Sequence, residues 1–223
     1  MSLTLPKGVF IDLDGTLVDS VPDLAQAIDQ MQSKLGFSPH DPDKVKHWVG
    51  NGIEKLVERA VTESMREPVN SELMSKAMPL FMMAYHQSSG KNSRVYKGVF
   101  DGLNWLKNNN IKMACITNKD TIFTLPLLTK LGLIEYFDTV ICGDSLTTKK
   151  PHPAPLLHCA EQFGLSPDKT LMIGDSINDI KAAKAAAVPI VCVSYGYHQG
   201  MDIYNAKPDA VIDEFTELES LFI

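Results

Sequence analysis

Basic charge is in short supply in this 223-residue chain: 21 Lys and Arg stand against 27 Asp and Glu, a formal net charge of −6. A domain that neutralises nucleic-acid phosphates, or that lies on an anionic membrane, normally carries a basic excess or a basic stripe. None is present, so neither partner is expected. Long apolar runs are missing too: no stretch approaches the ~18–20 residues that cross a bilayer. The opening MSLTLPKGVFIDLDG has no apolar core behind a basic start, so no secretory signal is expected and the expected compartment is the cytoplasm. Cysteine is scarce. Cys115, Cys142, Cys159 and Cys192 lie far apart, three of them inside apolar runs, which favours buried, reduced thiols over disulfides or metal ligands. The six histidines have no metal-ligand spacing, and repeats and low-complexity segments are absent. What remains is 44% hydrophobic and 22% charged, the make-up of a globular protein with a real core.

Six short apolar runs, at 8–13, 112–117, 139–143, 170–174, 190–195 and 210–212, alternate with helical patterns at 100–109, 121–131, 154–163 and 178–186. Apolar runs bounded by turns suit strands buried on both faces, and their alternation with helices predicts an α/β fold with a Rossmann-like parallel sheet. The alternation breaks once. About 95 residues separate the first strand from the second, whereas later intervals are closer to 20–30. Residues 19–89 read as helices throughout and are expected to form a helical cap domain, inserted into a core made of 1–18 and 90–223. The polar, turn-rich flanks VDSVPD and HQSSGKNSRVYKG suit a pair of hinges.

The polar clusters fall where predicted strands end, which in an open parallel sheet is where ligands bind. Asp12 and Asp14 follow the first strand, Thr117 and Asn118 the second, Lys150 the third, and Asp175, Ser176 and Asp179 the fourth. Two carboxylates as close as Asp12 and Asp14 repel unless a cation lies between them, and Asp175 offers a third oxygen for a hard divalent ion such as Mg²⁺. Thr117, Asn118 and Lys150 offer a hydroxyl, an amide and an ammonium for a phosphoryl group. Taken one at a time, the acids and Thr117-Asn118 serve equally well as helix caps, and Lys150 as a surface lysine.

The segments VFIDLDGTLVDS, ITNK, KKPHPAP and IGDSINDIKAAKAA, in that order, resemble the four motifs of the haloacid dehalogenase superfamily of phosphatases. DSVPDLAQAI, VGNGIEKLVERA, KPHPAPLL and VSYGY are more closely similar to its phosphoglycolate phosphatase branch. The resemblance implies a Mg²⁺-dependent phosphomonoester hydrolase working through an aspartyl-phosphate, with 2-phosphoglycolate as the leading substrate. By the same resemblance Asp12 is the nucleophile and Asp14 the general acid and base. Mg²⁺ would sit on the carboxylates of Asp12 and Asp175 and the main-chain carbonyl of Asp14. Thr117, Asn118 and Lys150 would bind phosphate, with Ser176 and Asp179 behind them, Asp179 in the metal's outer shell or holding Lys150. His152, in the same turn, is a candidate for placing Lys150.

The inserted segment suits a lid that selects the leaving group, with Asn51, Gly52 and Lys55 as candidates: main-chain N–H groups at a helix start, with Lys55, could take a carboxylate. A turn followed by a solvated basic face fits the same residues. The partner expected is a small phosphorylated metabolite, with the chain a monomer or homodimer. Competing readings are a phosphosugar mutase of the beta-phosphoglucomutase kind, a phosphatase for another small metabolite or pyrophosphate, and a phospho-receiver module. The last is disfavoured, because receivers place their phospho-acceptor after the third strand. One departure from the family pattern stands out: Ala187 occupies a helix end where many relatives place glycine.

Overall fold

Each of the six apolar runs forms a strand, because a β-branched run with turns at both ends can satisfy its main chain only by pairing. The computed structural model describes residues 3–222; Met1, Ser2 and Ile223, at the outer ends of the expected core, lie outside the described residues. In chain order the elements are β1 (Gly8–Ile11), β2 (Val18–Asp19), α1 (Val21–Leu35), α2 (Pro42–Trp48), α3 (Ile53–Thr62), α4 (Ser71–Ser88), β3 (Arg94–Val95) and α5 (Val99–Asn108). There follow β4 (Lys112–Ile116), α6 (Thr121–Lys130), β5 (Thr139–Ile141), α7 (Ala154–Phe163), β6 (Thr170–Gly174), α8 (Ile177–Ala186), β7 (Ile190–Val193) and β8 (Ala210–Ile212).

Six strands make one parallel sheet in the order β5-β4-β1-β6-β7-β8, so the fold is a Rossmann-like α/β sheet core with an inserted helical cap. Alternate side chains of β1 serve opposite faces. Val9 and Ile11 join Leu103 and Leu106 of α5 and Leu127 of α6, whereas Phe10 joins Leu156 and Phe163 of α7 and Ile180 of α8. Each such side chain, fully buried, contributes roughly 1.5–3 kcal/mol. All four cysteines are buried and free, as their apolar surroundings predicted.

Helices α1 to α4 build a second core. Leu24, Ile28 and Met31 of α1 pack with Trp48, Leu56, Val57, Phe81 and Tyr85, and two residues from the sheet side, Phe123 and Tyr197, reach into the same cluster. Along α4, Phe81, Ala84 and Tyr85 are buried and Met78 and Met82 lie at the cluster's edge, whereas Met83 is exposed. One pairing has no periodic signal in the sequence, because its strands are two residues long. The entry and exit linkers zip together, with Val18 opposite Val95 and Asp19 opposite Arg94.

The linkers are fastened a second time by Asp23. This fully buried carboxylate accepts from the N–H of Asn92 at 2.8 Å, the N–H of Ser93 at 3.0 Å and the hydroxyl of Ser93 at 2.5 Å. Asp23→Ala would leave three donors unsatisfied, costing about 3 kcal/mol or more, to be read from chemical denaturation of the whole chain. The opposite sign is expected at the end of α8, where Ala187 adopts the left-handed conformation (φ 56, ψ 35). Ala187→Gly removes that steric penalty and should stabilise by about 0.5–1 kcal/mol after the larger entropy of the unfolded chain is counted, a rise in melting temperature of about 1–3 °C.

Candidate active site

After β5 the chain crosses back over β1 to form β6, so the sheet's order reverses beside its central strand, and a crevice opens at the carboxyl ends there. Register aligns Ile11 with Cys115 on one side and Ile173 on the other, which sets the residues that follow side by side. Asp12 is anchored through its N–H to Ile173 O at 2.9 Å, and Thr117 through its N–H to Ile141 O at 2.9 Å.

Lys150 lies at the centre, 2% exposed. Its ammonium is 2.9 Å from Asp12 Oδ1 and 2.7 Å from Asp179 Oδ1, and it donates to Ile116 O at 2.6 Å. Asp179 thus takes the second of its two expected roles, holding Lys150, while its other oxygen accepts from the N–H and hydroxyl of Ser176 at 3.0 and 2.6 Å and fixes the start of α8. Asp175 accepts the N–H of Tyr197 at 2.6 Å and the hydroxyl of Thr16 at 3.4 Å. A Cβ at Gly15 or Gly196 would overlap the Asp175 side chain, so both turns need glycine for close approach.

Among the described residues, Asp12, Asp175 and Asp179 bring oxygens within 4.8 Å of one another. Three buried carboxylates against one ammonium leave two negative charges uncompensated, the charge of one divalent ion. Burial, opposed by Lys150 and reinforced by Asp179, pushes the Asp12 carboxyl up to about 7. Burial and then the charges of Asp12 and Asp179 push Asp175 well above the carboxylate range. A hard cation on an all-oxygen donor set relieves both. The residues therefore fit such an ion.

Asp14 stands outside this cluster. Its carboxylate accepts two bonds from the Lys119 ammonium, both 3.0 Å, and the Ser20 hydroxyl at 2.5 Å. Lys119 is buried, its ammonium 5.2 Å from the centre of the Tyr85 ring; burial opposes its charge, but Asp14 and Tyr85 together outweigh burial and hold the ammonium above the usual lysine range. Sequence reasoning gave Lys119 no role, although it closes the ITNK segment; nothing in a sequence says that it meets Asp14. Thr117 Oγ1 accepts the Lys119 N–H at 3.1 Å. The Asn118 amide donates to Lys150 O at 2.8 Å and to Gly50 O, across in the cap, at 3.1 Å.

From the cap side, the loop Val49–Gly52 closes over these groups. Gly50 O also accepts from Asn178 at 3.1 Å; Asn51 bonds to Asn178 at 3.3 Å and accepts from Arg59 at 2.7 Å and Gln199 at 3.1 Å. Gly52, Ile53 and Leu56 face Asp12, Asp14, Thr117 and Asp175 across a partly open cavity. Two expectations need correction. Lys55 does not line the cavity: it is exposed and pairs with Glu58. Arg59, one turn on, turns inward instead, its planar fork reaching Trp48 O and Asn51 where a lysine has no second arm. His152 does not touch Lys150 either; its ring accepts the Ala154 N–H at 3.1 Å, at the start of α7.

The raised carboxyl of Asp12 has a consequence for stability without metal. Folded Asp12 keeps its proton up to about pH 7, whereas the unfolded chain loses it near 3.8, so this group's contribution declines as pH rises through that window. In chelator, Asp12→Asn should therefore melt above the wild type at pH 8, and the gap should narrow toward pH 5.

Comparison with known proteins places the chain in a family. A family model described as haloacid dehalogenase-like hydrolase matches residues 9–193. A phosphoglycolate phosphatase of Nitrosococcus oceani is 51% identical over 219 residues, 98% of this chain and 97% of that one. One from Nitrosospira multiformis is 44% identical over 222 residues, 99% and 98% of the two chains. A crystal structure of a predicted phosphoglycolate phosphatase from Haemophilus somnus 129pt superposes with a TM-score of 0.92 at 34% identity, covering 98% of each chain. The chain accordingly belongs to the haloacid dehalogenase-like hydrolase family, and is an enzyme of the phosphatase kind.

Proposed function

We propose that this enzyme hydrolyses 2-phosphoglycolate to glycolate and phosphate with Mg²⁺ as its resident ion, and that residues 19–89 act as a cap on a core formed by 1–18 and 90–223. The observation that carries the substrate assignment is the cap wall of the pocket, where Gly52, Ile53 and Leu56 stand opposite Asp12 and Asp14. There the start of α3 at Gly52 and Ile53 offers main-chain N–H groups and a positive helix end to a carboxylate. The names of the relatives point the same way.

In this reading Asp12 and Asp175 would hold Mg²⁺ with the main-chain carbonyl of Asp14, Asp179 standing behind them. When bound, the ion offsets the charge of the phosphoryl oxygens. A carboxylate oxygen of Asp12 attacks phosphorus as the bond to the glycolate oxygen breaks, and Asp14 delivers its proton to that oxygen. Lys119 and Ser20 then stabilise the Asp14 carboxylate left behind. In the second half, Asp14 takes a proton from a water whose oxygen attacks phosphorus, freeing phosphate and restoring Asp12. Lys150, fixed by Asp179, keeps positive charge beside Asp12 throughout, while the Thr117 hydroxyl binds a phosphoryl oxygen; the Asn118 amide, its two hydrogens taken by Lys150 O and Gly50 O, holds that lysine's segment and the cap loop instead. Closure of the cap excludes competing water.

Purified protein with Mg²⁺ should release phosphate from 2-phosphoglycolate with a kcat/KM at least about 10-fold above that for glucose 1-phosphate, without forming glucose 6-phosphate. Chelator should abolish the activity and Mg²⁺ restore it. Asp12→Asn should lower kcat by about 10³-fold or more. Isomer without free phosphate would overturn the reading in favour of a mutase.

A further inference from the structure

Tyr197 is a buried phenol to which this mechanism gives no task. It sits in the loop after β7, 5% exposed, and connects three parts of the molecule. Its main-chain N–H donates to Asp175 Oδ2 at 2.6 Å. Its hydroxyl accepts the N–H of Ser20 at 2.7 Å and that of Val21 at 3.2 Å, and donates to Asp19 Oδ1 at 3.0 Å. Its ring packs into the cap's core and lines the cavity.

The bonds at the start of α1 are unusual. Ser20 precedes the helix, where a serine hydroxyl ordinarily accepts from the first turn. Here that hydroxyl points back and donates to Asp14 Oδ1 at 2.5 Å. The Tyr197 phenol receives the N–H groups of Ser20 and Val21, the latter shared with Asp19 Oδ1 at 3.3 Å, so the entry of the cap is held by a loop of the core. The backbone of that loop is constrained: His198 (φ 35) and Gln199 (φ 51) both lie at positive φ, which persists only where the surroundings enforce it. Gln199 in turn donates to Val49 O at 2.7 Å.

We infer that Tyr197 is a positioning residue that couples closure of the cap to the placement of Asp14 and Asp175. The inference rests on the hydrolase reading above. While the cap is shut, one phenol fixes Ser20 and Val21, Ser20 fixes Asp14, and the peptide of Tyr197 fixes Asp175. When the cap swings about residues 19–20, the phenol's bonds and the Ser20–Asp14 bond are released together, so Asp14 is set for proton transfer only around a substrate small enough to be enclosed. A p-nitrophenyl ester, whose phenolate leaves without a proton from Asp14, reacts without that help.

The test is Tyr197→Phe, which keeps the ring and the N–H and removes one oxygen. The ratio of kcat/KM for 2-phosphoglycolate to that for p-nitrophenyl phosphate should fall about 10-fold or more, chiefly through kcat. In the same variant the Ser20 and Val21 amides should exchange with solvent at least about 10-fold faster. Ser20→Ala, which leaves the phenol in place, should lower the same ratio and so covers a Tyr197→Phe protein that fails to fold. Equal losses on both esters, as a general loss of stability would give, or unchanged exchange at Ser20 and Val21, overturn the inference. A wild type inactive on 2-phosphoglycolate would instead remove the substrate assignment, and the exchange measurement would still decide the coupling.

Discussion

One ammonium buried between two carboxylates organises the catalytic end of this molecule. Lys150 meets Asp12 and Asp179 in surroundings where an unpaired charge costs several kcal/mol. Because it cannot be left alone, it ties the segment before α7 to the end of β1 and the first turn of α8, and through its carbonyl to Asn118 at the end of β4. Four pieces of chain, from position 12 to position 179, are thereby held at one point. The arrangement remains two charges short of neutral, and a divalent ion is the natural complement. The site spends stability in order to be reactive, as sites built on crowded like charges do.

The cap works on different physics. Its helices have their own apolar core, which Phe123 and Tyr197 join from the sheet side, but over the active site its contact is polar: Gly50 O, Asn51 and Val49 O are held by the amides of Asn118, Asn178 and Gln199. Polar contacts of this kind contribute about 1 kcal/mol each and exchange readily with water. They suit a surface that has to open and close. The linkers have the opposite character, zipped by β2 and β3 and fastened by the buried Asp23. Fastened linkers and a polar seam suit the proposed closure of the cap as one body, with Tyr197 and Ser20 connecting it to the acids.

Much of the fold was legible in the sequence, since the six strands and the four helices between them are marked by runs that only burial on both faces or on one stripe can satisfy. The inserted helical segment was legible from a gap that no single crossover fills. The β2–β3 ribbon was not, because two residues carry no period. At the site, the acids and Lys150 could be read from their place after strands. Lys119 could not be given a partner, Lys55 and Arg59 could not be told apart by spacing alone, and the Asn118 amide could not be foreseen reaching into the cap.

By itself the sequence determined what depends on local order: which runs become strands, which helices follow, and which polar residues leave the carboxyl edge of the sheet. Only the tertiary structure decided which charges meet. Asp14 lies 105 positions from Lys119, and the Tyr197 phenol 176 positions from the Val21 N–H it receives. Such pairings follow from strand order and from how the cap seats on the core, and neither leaves a period or a motif in the chain. Periodicity reports the face a residue presents, whereas the energy of a buried charge depends on the partner that the fold brings to it.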